Sequence, residues 1–299
     1  MKIAIVGDPH ISEKTPRCRI DNYLETVLGK LEYIAKNNDK VIILGDLFHI
    51  HSNSTLLFNT VYKVFAKYPN KFISILGNHD VFHNNISALN RTTIGSLYYT
   101  GVLDLKLKGF ELGGIRFEVS NVLKDMSKIP VDKDNESILL GHNYYGTELS
   151  PKETFSREDI TKLNYKMVFL GHDHKPYDEE FVGNSILVRM GSLTRIDTQD
   201  YNKDRKIYYY QLDSETMEYD KLPVPCKSTT EVYNENAYNK VKVIKNQLSF
   251  SDISAVLAKF NKQKEGNISL DKVLKELGAT VKQRDYIKFM HELSNVEYN

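Results

Sequence analysis

Five short apolar runs in this chain each end on a glycine followed at once by Asp, Asn or His: KIAIV before Gly7-Asp8, VIIL before Gly45-Asp46, FISIL before Gly77-Asn78, SILL before Gly141-His142 and MVFL before Gly171-His172. Runs of four or five apolar residues closed by polar punctuation are the pattern of strands buried on both faces. Between the first two runs, Leu24, Val27, Leu28, Leu31 and Ile34 recur at helical spacing, and a second amphipathic stretch extends from about Ser54 to Lys67. Alternating strand and helix predicts an α/β layered fold. In such folds the loops at the carboxyl ends of the strands converge over one crevice, and all five polar punctuations lie at that end.

The rest of the chain changes character twice. After Ser185 the segments SILVRM, KIYYYQL and MEYDKL are β-rich and are expected to form a second sheet that completes a sandwich. From about Cys226 the pattern turns helical: Ile253, Val256, Leu257 and Phe260, then Leu270, Val273, Leu274 and Leu277 behind Ser269, then Ile287, Met290 and Leu293. The expected division is a large domain over residues 1–225 and a small C-terminal segment over 226–299.

Composition narrows the function classes. With 41% hydrophobic and 26% charged residues, the chain fits an ordinary globular protein rather than a disordered, collagenous or coiled-coil one. A net charge of +1 means that any polyanion must be gripped by a local patch or through bound cations. Cys18 and Cys226 are the only cysteines, which supports neither a disulfide framework nor a structural zinc site and points to a reducing compartment. The opening MKIAIVGDPH is too short for a signal-peptide core, and no later apolar run approaches membrane-spanning length. A cytoplasmic protein without a membrane partner is expected.

Eight of the nine histidines precede residue 175, and five of those stand in GDPH, GNHD, GHNY and GHDH. Singly, an Asp after a strand is usually a turn or cap, and a lone His is usually structural. Five strand-end loops that each deliver carboxylate, amide or imidazole groups to one crevice are a ligand set suited to manganese, iron or zinc. Two divalent cations about 3.5–4 Å apart support in-line phosphoester hydrolysis without a Ser or Cys nucleophile.

In order and separation, GDPH, GDLFH, GNHD, GHNY and GHDH resemble the motifs of the calcineurin-like metallophosphoesterase superfamily, over approximately residues 1–195. That resemblance implies a double β-sandwich flanked by helices, and two metal ions. It assigns Asp8, His10 and His174 to one ion, Asn78, His142 and His172 to the other, and Asp46 to both. It also implies that His79 contacts the phosphate and protonates the leaving oxygen, with Asp80 holding the His79 ring.

Within the superfamily, GDLFH with His49, the turn RMGSLTRIDTQDY and the strands following GHDHK resemble the SbcD-like nucleases of double-strand-break repair. The resemblance implies manganese as the metal, with magnesium, iron or zinc as substitutes. The implied partners are DNA, an SMC-like ATPase subunit of the SbcC type and a second copy of the chain. His49 is then expected near the second metal, positioning substrate or water. Arg195, Lys175 and Arg17 are expected to face the phosphate backbone. After residue 226 the chain departs from that group: AYNKVKVIKNQ leads directly to the helical pattern, where a DNA-capping domain is usual, and the terminal helices are candidates for docking the ATPase. The alternative is a small-molecule cyclic nucleotide phosphodiesterase or a phosphatase of the same superfamily.

Overall fold

The computed structural model describes residues 1–16, 19–82, 85–121, 128–146, 154–196 and 206–234. The helices expected over 251–293 and the candidate Arg17 lie outside them. The first compact unit runs Met1–Tyr233.

Each apolar run forms a strand. β1 (Lys2–Val6), β2 (Lys40–Ile43) and β3 (Phe72–Ser74) lie side by side and parallel, followed by the short β4 (Asp104–Leu105). In the second sheet β6 (Ile115–Ser120), β7 (Ile138–His142), β10 (Met167–Gly171) and β12 (Ser185–Arg189) are parallel. The antiparallel β5 (Phe110–Leu112) and β11 (Glu180–Val182) form its edges. The pair β8 (Tyr144–Tyr145) and β9 (Thr154–Phe155) stands apart.

Side-chain alternation along the strands builds the layers. Ile3, Ile5, Ile42, Leu44, Ile73 and Ile75 from the first sheet meet Phe117, Val119, Ile138, Leu140, Met167, Phe169 and Val188 from the second in one buried core. Their neighbours Ala4, Val6, Val41 and Ile43 face outward onto α1 (Tyr23–Asn37), α2 (Thr55–Ala66) and α3 (Thr93–Tyr99). On the far side, Leu139, Val168, Leu170 and Leu187 pack with Ile160 and Leu163 of α4 (Arg157–Leu163). Both faces of both sheets are therefore covered, which is why the strands read as continuous apolar runs. Asn22 caps α1 by accepting from Glu25 N, and Ser54 caps α2 by accepting from Leu57 N, each satisfying one of the orphan amides of a first turn.

One expectation needs correction. The segments after Ser185 do not form a sheet of their own. β12 extends the sheet already founded on β6, β7 and β10, whereas β13 (Tyr208–Asp213) returns antiparallel to the free edge of β1, with β14 (Tyr219–Pro223) outside it. The first sheet needed a partner on that edge, because β1 otherwise exposes an unpaired row of amides and carbonyls. Also unforeseen was the hairpin joining β5 to β6 through Gly113 and Gly114, both at positive φ, a conformation that glycine adopts without steric cost. No helix among the described residues is long and apolar enough to cross a membrane.

Because Phe169 is fully buried between the sheets, Phe169→Ala is expected to cost about 3–5 kcal/mol of unfolding free energy. Phe181→Ala, at a side chain 74% exposed, is expected to stay within about 0.5 kcal/mol. Denaturant titration of both variants tests the layer assignment.

Candidate metal centre

The loops after β1, β2, β3, β7 and β10 meet at one end of the sandwich and are joined by hydrogen bonds that use the candidate ligands themselves. His10 N donates to Asp46 O at 2.9 Å, His79 N to Asp46 Oδ1 at 2.9 Å, and His172 N to Asp8 Oδ2 at 2.8 Å. The glycines before the ligands permit this closeness. A Cβ on Gly77 would stand 2.1 Å from Asp46 Oδ1, and one on Gly171 would stand 2.5 Å from Asp8 Oδ1. Three of the ligand candidates, His10, Asp46 and His172, have positive φ, a conformation that costs non-glycine residues of order 1–3 kcal/mol and is concentrated at functional sites.

The side chains form two groups, Asp8 with His10 and His174, and Asp46 with His142 and His172; in each, the donor atoms lie within 4.8 Å of one another. Asn78 Oδ1 joins the second group, 3.1 Å from His142 Nε2. Asp46 Oδ2 stands between the groups, 3.5 Å from His10 Nε2 and 3.3 Å from His142 Nε2.

These residues fit a pair of divalent cations. Asp8 Oδ1 is buried without a hydrogen-bond partner, which is costly for a carboxylate. His10 Nε2 and His174 Nε2 face each other at 2.9 Å, and His172 Nδ1 faces His142 Nε2 at 3.1 Å. Mixed imidazole and carboxylate donors match borderline divalent metals.

The electrostatics of the protein atoms alone agree. Burial, reinforced by Asp46, pushes the Asp8 carboxyl up to about 7. Asp46 is equally buried, yet His142, His10 and His79 hold it well below the usual carboxylate range. Burial works against charge on His142 too, but Asp46 and Asp8 overcome it and raise the imidazole to about 10. Burial lowers His10 far below its ordinary value, His172 to about 3 and His49 to about 4, so these rings are neutral and their lone pairs are available. A proton on His142 thus answers a demand for positive charge that a cation meets directly, with proton release.

Around this centre some candidates take other places than the sequence reading expects. Asp80 does not hold the His79 ring. Its carboxylate accepts Gly77 N–H at 2.9 Å and Phe48 N–H at 3.4 Å, closing the loop after β3 onto the loop after β2. The His79 ring is held by the carbonyl of His49, 2.6 Å from Nδ1, and lies stacked on the His49 ring. His49 stands beside His10 and His79, so it borders the Asp8 group rather than the second. Arg195 is taken up by the chain itself: it is 4% exposed, and its guanidinium donates to Thr229 Oγ1 and Lys227 O. Lys175 is exposed directly after His174.

Sequence reasoning missed three supporting residues. Tyr144 sets its ring edge-on to His172, with centroids 3.9 Å apart; the aromatic directly after GHN was the available signal. Tyr23 Oη donates to His10 O at 2.8 Å. Lys30, buried on the inner face of α1, donates to Leu193 O at 2.9 Å, and a lysine interrupting an apolar helical stripe is its signal.

The family model described as calcineurin-like phosphoesterase matches residues 1–176. No curated protein matches the chain. Among solved structures, one from work described as the structural and functional characterization of a novel archaeal phosphodiesterase shares 18% identity at a TM-score of 0.41, covering 75% of this chain and 100% of that one. A hypothetical protein of Pyrococcus horikoshii OT3 shares 14% identity at a TM-score of 0.40, covering 85% of this chain and 96% of its own.

Manganese at about a hundred times its dissociation constant is expected to stabilise the protein by about 2.7 kcal/mol, raising the melting temperature by roughly 5–10 °C. Gly77→Ala, which displaces Asp46, is expected to lose most of that shift. Calorimetry with manganese and with a chelator reads both, and an undiminished shift in the variant counts against the close-packing argument.

Proposed function

Since the chain belongs to the calcineurin-like phosphoesterase family over residues 1–176, a family of metal-dependent hydrolases, we propose that it is a phosphodiesterase acting on DNA, a nuclease subunit of the SbcD type. The observation carrying this reading is the histidine pair His49 and His79 beside Asp8, His10 and His174, delivered by the GDLFH and GNHD loops. The near-neutral net charge of +1 is consistent with a polyanion gripped at the catalytic crevice rather than over the whole surface.

Asp8, His10 and His174 would hold one ion, Asn78, His142 and His172 the other, with Asp46 serving both. Divalent cations there, with manganese favoured, supply Lewis acidity toward a phosphoryl oxygen and acidify water. The protein's own contribution centres on His79. Its Nδ1 is given to the His49 carbonyl, 2.6 Å away, which leaves Nε2 to meet substrate. In the imidazolium form Nε2 donates to a non-bridging oxygen and passes its proton to the departing sugar oxygen. The carbonyl contact and the His49 ring fix the orientation of the acid, and Asp80 holds the loop that carries it. An SMC-like ATPase completes the proposed assembly.

Incubation with single-stranded DNA, double-stranded DNA, cyclic nucleotides and p-nitrophenyl phosphate, each with manganese, separates the substrate classes. DNA hydrolysis is expected, and activity confined to the last two substrates sinks the nuclease reading. His79→Asn is expected to lower kcat by about 10²–10⁴-fold at unchanged metal content, which elemental analysis checks.

A further inference from the structure

The turn Ser192-Leu193-Thr194-Arg195 follows β12 and supplies none of the candidate ligands, yet it reaches the backbone of two members of one ligand group directly and that of the third through Tyr23. Ser192 N donates to His174 O at 3.0 Å and Leu193 N to Asp8 O at 3.1 Å. Thr194 Oγ1 lies 3.2 Å from Tyr23 Oη, the phenol that donates to His10 O. The other group meets the turn only at second hand: His142 Nδ1 lies against Leu44 O and Asn78 against His142, while His172 N donates to the Asp8 carboxylate.

What holds the turn is a clamp built from two buried arginines. Arg19 donates to Arg195 O and is itself fixed by a bidentate contact with Asp21, which Thr26 Oγ1 also reaches. Arg195 extends the other way, to Thr229 Oγ1 and Lys227 O. Both guanidiniums lie near the ring of Tyr233, their central carbons 5.8 Å and 6.0 Å from its centroid. Ile20 N donates to Val232 O, and Arg19 forms an antiparallel bridge with Tyr233. Arg19, Arg195, Thr229 and Tyr233 are at most 8% exposed. So many charge-assisted bonds in a dry setting define one geometry, and removing one partner leaves the rest unsatisfied.

We infer that Arg195 and Arg19 are positioning residues for the Asp8, His10 and His174 metal site, and that they couple this one site to the segment Lys227–Tyr233 through which the chain leaves the phosphoesterase unit. The inference rests on the family's two-metal centre and not on the identity of the phosphoester. It makes the two ions unequal: loosening the segment releases the ion of the Asp8 group and spares the ion of the His142 group.

Manganese titration of the full chain by calorimetry, with electron paramagnetic resonance of the loaded protein, tests this without an activity assay. Wild type is expected to take up two ions and show a spin-coupled pair. Arg195→Met is expected to bind one ion about 10–100-fold more weakly and, at one equivalent, to show an isolated manganese spectrum. Adding His172→Asn to Arg195→Met then removes the remaining tight ion, whereas adding His174→Asn changes it little. Thr229→Val deletes a single acceptor and keeps both arginines, so it gives a smaller shift in the same direction even where Arg195→Met does not fold. Uptake of fewer than two ions by wild type, both ions weakening together, or neither weakening, overturns the inference.

Discussion

Two carboxylates with almost no access to solvent, Asp8 and Asp46, set the terms for the rest of this molecule. Burying negative charge is tolerable only where hydrogen bonds and positive charge surround it, and the chain supplies both from loops far apart in sequence. Asp46 alone joins the loops after four strands: its carbonyl accepts His10 N–H, its Oδ1 accepts His79 N–H, and its Oδ2 lies within 3.5 Å of imidazole nitrogens of His10 and His142. The same contacts that make the carboxylates tolerable make the strand ends converge.

The two-sheet architecture is what makes such a centre stiff enough to keep its geometry. β1, β2 and β3 end on the same edge of the sandwich as β7, β10 and β12, and each is buried on both faces. A ligand at the end of such a strand, or within four residues of it, inherits its position from a close-packed core. The strained backbone at His10, Asp46 and His172 is held by that surrounding structure, and their imidazole and carboxylate heads point into one small volume instead of relaxing toward water.

Much of this was legible in the sequence, and the parts that were not share a cause. The five strand-glycine-ligand runs show through because burial on both faces writes a local, unmistakable pattern, and because the glycine is demanded by contacts such as Gly77 against Asp46. Sheet membership did not show through: Ile207 and Tyr210 of the KIYYYQL run are as apolar and β-prone as any central strand, and only the open edge of β1 decides that β13 pairs there. Hydrogen-bond partners were equally hidden. The family resemblance implied a contact between Asp80 and the His79 ring. The tight loop instead turns the carboxylate back to Gly77 N–H and Phe48 N–H, while the His79 ring finds a carbonyl thirty residues earlier.

Arg195 shows the same limit in its sharpest form. An arginine in a loop beside a phosphoester site invites assignment to the phosphate, because a guanidinium matches phosphate oxygens well. It matches carbonyls and hydroxyls too, and here Thr229, Lys227 and the neighbouring Tyr233 have claimed it. Residue type therefore identifies which groups can do chemistry in this crevice, but burial and donor satisfaction decide which of them are free to. Asp8 and His10 are buried with polar atoms that lack a hydrogen-bond partner, whereas Arg195 is buried with its guanidinium engaged. That contrast places the former in the centre and the latter in the structure that holds the centre to the chain leaving at Tyr233.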